Sequence, residues 1–221
     1  MQLQDIKTKI PEDLFNVLNK DIIELRPSQE KAIKAGLLEY KNLLVCTPTA
    51  SGKTLIGEIA LIKSIMESKG KGLYIVPLRA LATEKFKDFK KRYEGLIRIA
   101  LSIGDMDSAD SYLANYDLII CTSEKLDSLI RHNSPWLNYV KTIVVDEIHL
   151  LNDISRGPTL EIILTILKDI NPTLQVIGLS ATIGNPEELS SWLKAELIKD
   201  KWRPVVLKKG VYLDGNIEFL E

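Results

Sequence analysis

The amino-acid sequence predicts an α/β fold: a mostly parallel β-sheet with helices on both faces. Two observations predict it. Short apolar, β-branched runs alternate with longer amphipathic ones, and the residue clusters with chemical potential directly follow the short runs. The strand candidates are 42–46 (NLLVC), 72–76 (GLYIV), 97–103 (IRIALSI), 117–121 (DLIIC), 142–147 (TIVVDE), 174–180 (LQVIGLS) and 204–207 (PVVL). Most are continuously apolar rather than alternating, as strands covered on both faces must be. Between them, 54–68, 78–93, 123–132, 159–170 and 186–197 carry helical periodicity. Asn185 and Pro186 supply a cap and a proline at the first helical position of the last helix. The expected organisation is an N-terminal helical segment (1–30), one α/β unit (31–203), and a closing strand or hairpin (204–221) containing Gly210 and Gly215.

A chain of 221 residues, 45% hydrophobic and 27% charged, has the balance of a soluble globular domain and can bury a sizeable core. No apolar run approaches the roughly 20 residues of a membrane span, and the opening MQLQDIKTKI lacks the apolar centre of a signal peptide, so a cytoplasmic location is expected. Cys46 and Cys121 each end an apolar run and read as buried free thiols. A net charge of −1 gives no global attraction to nucleic acid, so any such binding must come from local groups and backbone amides.

The run Thr47-Pro48-Thr49-Ala50-Ser51-Gly52-Lys53-Thr54 follows a strand and precedes an apolar helix, the context a phosphate loop requires. A glycine before the lysine lets backbone amides approach phosphate oxygens, and the helix N-terminus adds partial positive charge. Thr49, Ala50, Ser51 and Gly52 would cradle ATP phosphates, Lys53 would reach the outer two, and the Thr54 hydroxyl would bind Mg²⁺. The strict pattern has glycine where this chain has Thr47.

The second cluster is Asp146-Glu147, at the end of a strongly apolar strand. Beside a phosphate loop on the same sheet edge, Asp146 would hold the metal and Glu147 would accept a proton from the attacking water. His149 lies two residues on, where it could be a solvated turn residue or could sense the outer phosphate.

Together these segments resemble motifs I and II of superfamily 2 DExH-box helicases, in which TPTASGKT is a normal phosphate loop. The resemblance implies a RecA-like P-loop NTPase domain. Arg26-Pro27-Ser28-Gln29 resembles the Q motif, with Gln29 reading adenine. Pro77-Leu78-Arg79-Ala80-Leu81-Ala82 and Thr122-Ser123-Glu124-Lys125 resemble motifs Ia and Ib, and Ile103-Gly104-Asp105 a glycine loop near phosphate. These imply nucleic-acid contacts at Arg79, Ala80, Gly104, Thr122 and Ser123. Ser180-Ala181-Thr182 resembles motif III, so that His149, Ser180 and Thr182 would couple nucleotide state to nucleic acid.

The phrases DEIHLLND, RGPTLE, GLSATIGNPEELSSWL and Trp202-Arg203-Pro204-Val205 are similar to the superkiller-like DExH family, and within it to the archaeal Holliday-junction-migration DNA helicases. That resemblance implies 3′ to 5′ movement on single-stranded, branched or stalled-fork DNA in repair and recombination. The alternatives are an RNA helicase of the same family or a nucleotide-dependent interaction module. The family's motifs IV to VI lie in a second RecA-like domain, the expected partner, whose arginines are worth on the order of 10³ to 10⁵ in rate. The 221-residue polypeptide alone is therefore expected to bind ATP·Mg²⁺ weakly and to leave a labelled duplex unwound in a strand-displacement assay. Robust unwinding would overturn this.

Overall fold

The computed structural model describes residues 1–104, 110–181, 183–205 and 208–220. After a 3-10 turn at Leu3–Lys9 come α1 (Glu12–Leu18), α2 (Pro27–Lys34), β1 (Leu43–Cys46), α3 (Lys53–Ser68), β2 (Lys71–Val76), α4 (Arg79–Tyr93) and β3 (Ile99–Ser102). Then follow β4 (Leu118–Thr122), α5 (Ser123–Arg131), β5 (Val140–Val145), α6 (Gly157–Ile170), β6 (Gln175–Ser180), α7 (Pro186–Leu193) and β7 (Glu196–Lys199). An antiparallel hairpin, β8 (Lys209–Leu213) and β9 (Asn216–Leu220), closes the chain.

Among the described residues, seven strands form one sheet in the order β3-β4-β2-β5-β6-β1-β7, and every neighbouring pair is parallel. Side chains alternate across a strand, which divides the core in two. Leu43, Val45, Tyr74, Val76, Val144 and Leu179 face a layer built by α1 to α4. Leu44, Cys46, Leu73, Ile75, Ile143 and Val145 face the layer of α5, α6 and α7. The N-terminal segment belongs to the first layer: Leu3, Ile6, Leu14 and Leu18 are buried in the same cluster as α3.

Helix α3 is covered along most of its length, from Lys53 to Ile65. Inside it, Glu58 accepts hydrogen bonds from Tyr93 (2.7 Å) and Arg92 (3.1 Å), which ties α4 to α3 through charge-assisted contacts. Both cysteines are buried and free, and burial pushes the Cys46 thiol up to about 11 and the Cys121 thiol up to about 12.

Two expectations need correction. The helix expected over 186–197 stops at Leu193, and Glu196–Lys199 instead forms the edge strand β7, parallel to β1. Leu189, Leu193 and Leu197 keep helical spacing, but backbone pairing overrides it. Glu196 N–H donates to the Asn42 carbonyl at 2.9 Å, and Lys194 turns the chain through a left-handed conformation (φ 53°). The strand expected at 97–103 is confined to Ile99–Ser102. Of the strand expected at 204–207, Pro204 and Val205 form a bend rather than a strand, and Val206 and Leu207 lie outside the described residues.

Gly57 is where α3 lies against the sheet: a Cβ there would stand 2.9 Å from Val144 Cγ1 and 3.2 Å from Cγ2. Val144 is central in β5 and cannot retreat, so Gly57→Ala is expected to lower stability by about 1–3 kcal/mol in urea unfolding through overpacking. Gly184→Ala, with nothing within 4 Å of the added carbon, should change it by less than about 0.5 kcal/mol. Equal stability of the two variants would contradict a tight contact between α3 and β5.

Candidate functional site

The phosphate-loop sequence leaves β1 and turns back within a few residues. Thr47 N–H continues the ladder to the Ser180 carbonyl (3.2 Å), Ser51 N–H donates to the Pro48 carbonyl (3.2 Å), and the Thr47 and Ser51 hydroxyls meet at 2.7 Å. Ala50 (φ 64°) and Gly52 (φ 89°) are left-handed, and only the second is a residue for which that conformation is free of steric cost.

The turn is held from outside by the start of α2. Arg26 donates from its guanidinium to the Ala50 carbonyl (2.7 Å), Gln29 Nε2 to the Gly52 carbonyl (2.9 Å), and the Ser28 hydroxyl to the Ser51 carbonyl (3.4 Å). Gln29 Oε1 accepts Arg26 N–H at 2.8 Å. The Gln29 amide is thus engaged by protein, with one hydrogen and one lone pair remaining for an adenine edge. Trp202, from the far end of the chain, lies over Arg26, its ring centre 5.6 Å from the guanidinium carbon.

Lys53 opens α3, where the leading amides have no carbonyl behind them in the helix. Its ammonium is buried and, among the described residues, has no hydrogen-bond partner; its ion-pair partner, Glu147 Oε1, stands 3.7 Å away. A buried cation held so loosely is costly unless an anion completes its surroundings. With the helix N-terminus beside it and a loop turn that only glycine fits, the residues suit a phosphate chain.

At the end of β5, Asp146 N–H reaches the Ile75 carbonyl (2.8 Å), extending the ladder by one residue. Its carboxylate accepts the Tyr74 hydroxyl on Oδ2 (3.0 Å) and Glu147 N–H on Oδ1 (3.1 Å). Burial, reinforced by the Asp146 charge, holds the Tyr74 phenol far above the usual range, so it stays a proton donor. Glu147 takes a left-handed conformation (φ 51°), costing about 1–2 kcal/mol for a residue with a Cβ. Its carboxylate lies between Lys53 and His149, with Oε2 3.3 Å from His149 Nδ1. His149 in turn meets the buried Ser180 hydroxyl at 3.3 Å. Lys53, Glu147, His149 and Ser180 are thereby joined in one chain of contacts across the ends of β1, β5 and β6.

The residues expected to touch nucleic acid sit at the same sheet edge, beyond β2, β3 and β4. Arg79, Ala80 and Gly104 are exposed, whereas Thr122 and Ser123 are buried. The Thr122 hydroxyl caps α5 by accepting Lys125 N–H (3.4 Å). Ser123 and Glu147 line one small cleft with Pro77 and Arg156, and Arg156 donates to the Pro77 carbonyl at 3.4 Å. Asp105 and Thr182 lie outside the described residues. Reasoning from sequence missed Tyr74, Arg26 and Trp202. The signal for Tyr74 was a phenol inside a buried aliphatic strand, since such a hydroxyl needs a partner.

A family model described as DEAD/DEAH box helicase matches residues 26–189, from the arginine that holds the phosphate loop into α7. The chain belongs to the DEAD/DEAH box helicase family. This helicase domain is 59% identical over 206 residues to an ATP-dependent DNA helicase Hel308 of Methanocaldococcus jannaschii, covering 90% of this chain and 17% of that protein. It is 54% identical to the Hel308 of Methanococcus vannielii (94% and 28% covered) and 50% identical to that of Pyrococcus horikoshii (98% and 30%). The chain therefore spans less than a third of the length of these relatives. Its fold is similar to a crystal structure of the DUF1998 helicase MrfA bound to DNA and AMPPNP, at TM-score 0.76 and 27% identity, covering 87% of this chain and 29% of that one. The same helicase bound to DNA alone gives TM-score 0.75. Among the described residues no helix is long and apolar enough to cross a membrane.

Gly52 tests the loop geometry. A Cβ there would stand 2.5 Å from Gln29 Nε2 and 3.0 Å from Arg26 Cδ, on a backbone at φ 89°. Gly52→Ala should displace the Gln29 amide and weaken binding of a fluorescent ADP analogue by about tenfold or more, the equivalent of roughly 1.4 kcal/mol. Unchanged affinity would mean that α2 does not set the loop.

Proposed function

We propose that this chain is the ATP-binding motor domain of an ATP-dependent DNA helicase. The observation that carries the reading is the buried ammonium of Lys53, with no hydrogen-bond partner among the described residues, beside Glu147, at a helix N-terminus and across the sheet edge from Asp146. ATP supplies the phosphoanhydride bond, and Mg²⁺, when bound, neutralises charge on the phosphate oxygens. Lys53 offsets the outer phosphate charge. Thr54 and Asp146 hold the metal, the first through a hydroxyl and the second through a carboxylate. Glu147, half-buried and flanked by Lys53 and His149, orients water and takes its proton. His149 and Ser180 carry the state of Glu147 to the end of β6, with Thr182 in the same coupling segment.

Single-stranded or branched DNA would run past Arg79, Ala80, Gly104, Thr122 and Ser123. Arg79 and the exposed loop backbone would meet phosphates, while Thr122 and Ser123 would shape the track from beneath. The names of the curated relatives, ATP-dependent DNA helicases, favour DNA over RNA. Movement from 3′ to 5′, action on branched or stalled forks, and closure of the site by a second RecA-like domain follow from the family resemblance. Contacts to the sugar–phosphate backbone do not distinguish the sugar, so competition between single-stranded DNA and RNA for the intact protein is the direct test of substrate.

Glu147→Gln keeps the shape of the side chain and removes its basicity. In the intact protein it should leave nucleotide affinity within a few-fold and lower steady-state hydrolysis by about 10² or more. Near-normal hydrolysis would remove Glu147 as the proton acceptor.

A further inference from the structure

Strand β2 carries a tyrosine that no sequence motif called for, and the sheet register says what it does. Tyr74 pairs with Val144 across the β2–β5 ladder. Asp146 lies two residues beyond Val144 and so falls on the same face, diagonal to Tyr74 and within reach of a long side chain. That face is the one covered by α3, whose first turn holds Thr54. The Tyr74 hydroxyl therefore reaches the aspartate assigned to the metal in the site proposed above. The ring is fully buried and meets Phe89 edge to face, with centroids 5.4 Å apart, so the hydroxyl has little freedom to be elsewhere.

The direction of the hydrogen bonds follows from inventory. An ionised Asp146 can only accept, so the single Tyr74 proton goes to Asp146 Oδ2 at 3.0 Å. Asp146 is held with Oδ2 anchored by Tyr74 and Oδ1 by Glu147 N–H, each oxygen keeping lone-pair capacity. That is an orientation in which a carboxylate can donate to a cation.

We propose that Tyr74 is a positioning residue for magnesium: its hydroxyl holds Oδ2 of Asp146 and presets that carboxylate for the metal that accompanies the nucleotide. The inference rests on the nucleotide-site reading above, and its test separates the two. Binding of a fluorescent ADP analogue to the chain would be measured in EDTA and then across a MgCl₂ titration, for the wild type and for Tyr74→Phe. The wild type should bind more tightly as Mg²⁺ is added. Tyr74→Phe should match it within about twofold in EDTA but need on the order of tenfold more Mg²⁺ for the half-maximal effect, because only the metal loses a preset ligand.

Superimposable Mg²⁺ titrations would reduce Tyr74 to core filling and overturn the inference while leaving the nucleotide site intact. A wild type whose ADP affinity ignores Mg²⁺ would overturn both. Should Tyr74→Phe fail to fold, the wild type labelled with ¹³C at tyrosine Cζ reads the same contact among its seven tyrosines. The Tyr74 signal should move when Mg²⁺ joins bound ADP and not when ADP binds in EDTA. A Tyr74 signal indifferent to Mg²⁺ overturns the proposal.

Discussion

Parallel pairing of the four central strands in the order β2-β5-β6-β1 constrains everything at the site. Parallel strands present all their carboxyl ends at one edge, so whatever follows each strand meets whatever follows its neighbours. The loop after β1 and the acidic pair after β5 are almost a hundred residues apart, with β6 between them. Thr47 N–H bonds the Ser180 carbonyl, and His149 spans from Glu147 to the Ser180 hydroxyl. A change in any of the three strand ends is therefore felt by the other two. The pairing itself is supported by a core split by side-chain parity into two dry layers, which leaves no register slip without cost.

Two residues with strained backbones lie at this edge. Ala50 and Glu147 both carry a Cβ in the left-handed region, each a cost of about 1–2 kcal/mol that the surrounding structure must offset. The compensation at Ala50 is visible: Arg26, Ser28 and Gln29 hold three successive loop carbonyls, and Trp202 covers the arginine. At Glu147 the strained turn aims the carboxylate at Lys53 and His149 rather than along the strand. Phosphate binding by a strained loop needs such support, because an unsupported loop would relax at the moment the anion leaves.

The two ends of the chain meet at this support. Met1 pairs with Glu30 at 2.9 Å in the helix that holds the loop, and Lys31 of that helix pairs with Asp200 at 2.9 Å, two residues before Trp202. Pairs left partly open to solvent contribute little energy individually. Their effect here is geometric: they keep α2 seated against the loop while the buried leucines and isoleucines of the first eighteen residues supply the stabilisation.

The sequence by itself determined the strand-and-helix alternation, the phosphate loop, the acidic pair and the edge on which they meet. Those depend on local chemistry: apolar runs long enough to be covered on both faces, a glycine before a lysine, and two carboxylates where a strand should end. Only the tertiary structure decided where α7 stops, because helical spacing at Leu189, Leu193 and Leu197 competes with a strand partner supplied by β1, more than a hundred and fifty residues earlier. It alone assigned the Gln29 amide to the Gly52 carbonyl and buried Thr122 and Ser123, which the sequence offered as nucleic-acid contacts. The contact from Tyr74 to Asp146 is of the same kind. A tyrosine in a buried strand announces that its hydroxyl needs a partner, but which partner it finds is set by inter-strand register, and register is a property of two strands that neither carries alone.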